Sequence, residues 1–121
     1  MPPVRSSSSV KLISLNRNKL LDALRDSAQR ARDEHPEVVE VHLFGSLARG
    51  DYTGTSDADV LMILNHTPET DPIRRVLTFM PYFDVPCGVD LLVYTSAELE
   101  NALAHNPFIQ RAWAESQPLL P

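Results

Sequence analysis

The chain has 121 residues, 43% of them hydrophobic, and a formal net charge of −5. That length supports one domain with a real core, and the acidic balance argues against a broad basic surface for stable nucleic-acid binding. Its single cysteine, Cys87, excludes an internal disulfide and a cysteine metal cluster, and no apolar run approaches the length of a membrane span.

Residues 1–10 include Pro2, Pro3 and a run of four serines, without the apolar stretch of a signal peptide. They read as a disordered tail, and 11–117 as a single domain of cytoplasmic location. Asn16 is the expected N-cap of an amphipathic helix reaching Glu34. Its apolar positions, Leu20, Leu21, Leu24, Ala28 and Ala31, follow helical spacing. Val38–Phe44 reads as the first strand, with Val39, Val41 and Leu43 on one face. Gly45 ends it, Ser46–Arg49 forms one helical turn, and Gly50–Ser56 is a loop.

Asp57–Leu64 is the second expected strand. Asp71 and Pro72 open a helix whose stripe is Ile73, Val76, Leu77 and Met80. Val89–Tyr94 is a third strand, apolar except for Asp90. Thr95 to Glu98 fits a capping box for the next helix, and Asn106-Pro107 opens the last. This alternation predicts an α/β (α+β) domain: a small mixed sheet of three or four strands, with helices mainly on one face.

The chemistry concentrates between Leu43 and Leu64. Gly45-Ser46 is followed by ten residues and then Asp57-Ala58-Asp59. Alternation along a strand points both carboxylates the same way. Side by side they repel unless a cation sits between them, and hard divalent cations such as Mg²⁺ favour carboxylate oxygens. The bland alternative is two solvated charges at a strand start. Asp90, a lone charge in an apolar strand, is the candidate third ligand; the alternative is an edge strand with Asp90 facing water. Gly45 permits close approach of a phosphate, and Ser46 offers a hydroxyl beside the N–H groups of the following turn. Arg49 is placed to reach phosphate oxygens or to pair with Asp51. His35, His42, His66 and His105 show no ligand spacing, and Cys87 receives no catalytic role. Phe108, Ile109 and Trp113 read as core, with a partner-binding patch as the alternative.

These residues resemble the DNA polymerase β-like nucleotidyltransferase superfamily, whose motif is Gly-Ser, about ten residues, then Asp-x-Asp. The local text G-S-L-A-R-G and S-D-A-D is most similar to the minimal nucleotidyltransferases (MNT). The resemblance implies the nucleotidyltransferase fold. It implies two Mg²⁺ ions held by the catalytic Asp57, Asp59 and Asp90, and ATP or another NTP gripped by Gly45 and Ser46. Larger members carry a further domain for the acceptor, whereas about 30 residues follow Asp90 here. The expectation is therefore that a second copy or another protein supplies the acceptor. In the minimal family that partner is typically a helical HEPN protein, often an RNase toxin, with the nucleotidyltransferase as antitoxin. The implied activity is transfer of AMP from ATP to a partner hydroxyl. Two alternatives stay open: a non-catalytic module that inhibits a partner by contact, and a dimeric small-molecule nucleotidyltransferase.

Overall fold

The computed structural model describes the backbone at 2–52 and 57–121, with side chains described from Arg17 onward. Part of the expected Gly50–Ser56 loop, at 53–56, lies outside the described residues. Helix α1 runs Pro2–Glu34. It starts well upstream of Asn16 and takes in most of the segment expected to be a disordered tail. Two prolines are tolerated in a first helical turn, and no glycine or proline interrupts the chain from Val4 to Glu34. Strand β1 is Val38–Phe44, α2 Ser46–Arg49, β2 Ala58–Leu64, α3 Pro72–Phe79 and β3 Val89–Thr95. Helices α4 (Ser96–His105) and α5 (Pro107–Glu115) follow, then a two-residue strand β4, Gln117–Pro118.

The sheet order is β3-β2-β1-β4. β1 runs antiparallel to both β2 and β4, while β2 and β3 are parallel and connected through α3. β2 is one of the two inner strands, and its Val60, Leu61, Met62 and Ile63 are wholly buried. Both its faces are covered, which explains its continuous apolar run. β4 carries too little sequence to be read as a strand. It is an edge, where Pro118 is tolerated, and it is extended by a hydrogen bond from the Leu119 N–H to the Val41 carbonyl (2.7 Å).

Two core clusters flank the sheet. Helix α1, α2 and the end of α3 pack with Val41, Val60, Met62 and Val93 on one face. Leu99 of α4 and Ile109 and Ala112 of α5 pack with Phe44, Leu61 and Ile63 on the other. The mixed sheet is as expected, but the helices divide three to two between its faces.

Two expected faces are turned. In β1 the register shifts between Val38 and Glu40. This irregularity buries Val38 and leaves Val39 38% exposed, as an extra residue in a strand reverses the alternation. In α3, Ile73 and Leu77 are 71% and 69% exposed, whereas Arg75 and Phe79 are buried. Arg75 dictates this rotation. Its guanidinium donates to the carbonyls of Glu69 (2.7 Å) and Val93 (3.3 Å) and to both carboxylate oxygens of Glu98 (2.6 and 3.2 Å). A buried cation with this many acceptors outweighs the gain from turning two aliphatic side chains inward.

Glu98 also closes the capping box of α4 by accepting from the Thr95 N–H (2.8 Å). The Arg75 hydrogen bonds are the main cause holding its carboxyl below the ordinary value of 4.5. A lowered carboxylate stabilises the fold above its unfolded pKa and loses that contribution as pH falls through the folded one. Glu98→Gln is expected to lower unfolding free energy by about 1–3 kcal/mol at pH 7, with the gap to wild type closing as the pH drops below about 4. Denaturant titrations across pH check this.

Candidate active site

Strand register builds the site. Asp59 of β2 lies opposite Phe44 of β1 on one side and Asp90 of β3 on the other. In-register partners share a face, so Asp59 and Asp90 stand side by side where two parallel strands begin. Phe44 leads directly into Gly45-Ser46. Asp57 sits two residues before Asp59, just ahead of β2, where the Ala58 N–H donates to the Gly88 carbonyl (2.8 Å).

Two glycines make room for the carboxylates. Gly45 has φ +77° and ψ −158°, a conformation open essentially to glycine alone. A Cβ there would collide with the Asp59 carboxylate, and one at Gly88 would collide with the Asp57 carboxylate. The turn is thus shaped so that bare backbone meets each acid. Helix α2 follows from Gly45. Its inner residues, Leu47 and Ala48, are buried, and the Leu47 carbonyl accepts from the Arg17 guanidinium of α1 (2.7 Å). These contacts fix the turn against the domain.

A cavity of about 430 Å³ opens over this corner, within the range of small-molecule sites. Gly45, Ser46, Arg49, Asp59 and Asp90 line one side. Phe44, Leu92, Phe108 and Glu115 complete it. Asp57 is outside this lining and borders the site from the Gly88 side. Arg49 bridges to α5: its Nη1 donates to Glu115 (2.8 Å) and its Nε to Asp51 (3.2 Å). Arg49 thus pairs with Asp51 and also lines the cavity. None of the four histidines lines this cavity.

Asp59 feels its surroundings. The Asp59 carboxyl is raised above the ordinary range, first by desolvation, then by the charges of Asp90 and Asp57, with Arg49 opposing. Hard oxygen donors with mutual repulsion and a rim free of Cβ atoms fit a divalent cation. Among the described residues, no three acidic, histidine or cysteine side chains close into a ready-made cage.

The local sequence does not mark Gly88 or Glu115 as site residues, and Phe108, expected in the core, is half-exposed at the cavity. Gly88 carried a faint signal, as a glycine directly before a strand. Glu115 carried none, because its place depends on α5 folding back over the sheet.

The nucleotidyltransferase domain family model matches residues 24–120. A solved structure assigned as a nucleotidyltransferase from Sulfolobus solfataricus is 27% identical with a TM-score of 0.60, covering 71% of this chain and 76% of that one. A toxin–antitoxin structure with AMP-PNP is 23% identical with a TM-score of 0.51, covering 86% of this chain and 72% of that one. No curated protein matches.

With metal chelated, Asp59→Asn is expected to raise the melting temperature by roughly 2–4 °C, because it removes one of the clustered charges. An acid with a raised pKa stabilises below its unfolded pKa and loses that contribution as pH rises through the folded value. The gain should therefore be larger at pH 7 than at pH 4, as scanning calorimetry in EDTA can measure.

Proposed function

This chain belongs to the nucleotidyltransferase domain family, and from that premise we propose that it transfers AMP from ATP to a hydroxyl of a partner protein, as the antitoxin of an MNT/HEPN-type pair. The observation that carries the chemistry is the register of Asp59 against Asp90, beside Gly45-Ser46. A protein partner is supported by the fold likeness to the toxin–antitoxin structure.

In this reading Asp57, Asp59 and Asp90 hold the two Mg²⁺ ions. When bound, the ions neutralise phosphate charge and activate the attacking oxygen. The backbone N–H groups of the Gly45-Ser46 turn and the hydroxyl of Ser46 take the phosphates. Arg49 adds a positive charge that Glu115 and Asp51 keep aimed over the cavity. Asp90 accepts the proton of the acceptor hydroxyl. The acceptor oxygen then bonds to the α-phosphorus as its bond to the pyrophosphate oxygen breaks, and pyrophosphate leaves with that electron pair.

The test mixes the protein with Mg²⁺, α-labelled ATP and the protein encoded by the adjacent gene. Label is expected on the neighbour, and Asp57→Ala/Asp59→Ala should reduce it by about a hundredfold or more. Label that persists in the double variant contradicts the assigned ligands. Wild type that neutralises the neighbour without labelling it favours the contact-only module.

A further inference from the structure

The cavity has a wall that phosphate chemistry leaves unused. Phe108, in the first turn of α5, lines it and is 52% exposed. A half-exposed aromatic ring at a cavity rim is an uncommon use of a large apolar side chain.

The ring is held in place. Asn106 caps α5, its side-chain oxygen accepting from the N–H groups of Phe108 (3.0 Å) and Ile109 (3.3 Å). Ile109 and Ala112 are buried against the sheet, so they fix how the helix is turned and keep Phe108 on the cavity side. The Phe108 ring stands nearly perpendicular to that of Phe44, with centroids 6.1 Å apart. This edge-to-face contact is a favoured aromatic geometry.

The same helix carries Glu115, seven residues on. Two helical turns separate these residues by about 10 Å along one face. Glu115 holds Arg49 at the cavity. Phe108, Phe44 and Leu92 supply its apolar lining.

We propose that Phe108 is the platform on which the nucleobase stacks, so that α5 orients the nucleotide with its base at Phe108 and its phosphates toward Gly45, Ser46 and Arg49. This rests on the nucleotide-transfer reading above and deepens it. A π-face accepts any base but gains most from a purine, which offers the larger surface.

Calorimetric titration of the full chain with Mg²⁺-ATP and, separately, with Mg²⁺-tripolyphosphate tests this. Phe108→Ala and Phe108→Leu should each weaken ATP binding by roughly tenfold while leaving tripolyphosphate unchanged. Phe108→Tyr should restore ATP affinity. The leucine variant keeps apolar bulk without a ring, so it separates stacking from simple covering and guards against a folding defect in the alanine variant. Unchanged ATP affinity in both variants, or equal loss for both ligands, overturns the platform. A wild-type chain that binds neither ligand overturns the nucleotide-transfer reading itself.

Discussion

Two carboxylates in adjacent register positions repel each other, and the fold holds them together regardless. Asp59 and Asp90 are paired by the parallel ladder of β2 and β3, so neither can leave without breaking the ladder. The strain appears as the raised Asp59 carboxyl, caused by desolvation and by its acidic neighbours. The apolar residues behind them, Leu61, Ile63 and Leu92, anchor the strands in the second core cluster. Hydrophobic burial thus fixes the positions of charges that would otherwise separate. A site organised in this way is destabilised by its own clustered charge.

The remaining parts of the corner follow from that constraint. Gly45 adopts a backbone conformation closed to other residues, so that the β1–α2 turn can pass the Asp59 carboxylate. Gly88 has no such backbone conformation; it makes room for Asp57 only by lacking a Cβ. Helix α5 closes the open side, and the Arg49–Glu115 ion pair joins it to α2. The pair is partly exposed, so its value lies less in stability than in where it keeps a guanidinium. Family membership and this geometry agree on the place of the site: paired acids beside a Gly-Ser turn at a small cavity.

Much of this was legible in the sequence because the chemistry is encoded locally. The Gly45-Ser46 and Asp57-Ala58-Asp59 spacing fits within one strand–turn–strand unit. Asp90 stood out as the one charge in an apolar strand. The caps at Asp71, Thr95 and Asn106 were readable for the same reason, since each depends on neighbours within three residues. Features set by distant contacts were not. The rotation of α3 depends on Arg75 meeting Val93 and Glu98, which overrides a clean apolar stripe. The register shift at Val38 and the short β4 depend on strand partners that no local pattern specifies. Gly88 and Glu115 join the site only because β3 and α5 bring them there.

The proposed function needs Asp59 and Asp90, with Asp57 beside them, to bind a divalent cation at the mouth of the Gly45-Ser46 turn. Paramagnetic Mn²⁺, titrated into isotope-labelled protein and followed by amide NMR, tests it most directly. A cation held there gives selective broadening centred on Gly45, Ser46, Asp59 and Asp90, reversed by excess Mg²⁺ and abolished in Asp57→Ala/Asp59→Ala. Broadening centred on another acidic surface, or unchanged in the double variant, would contradict it.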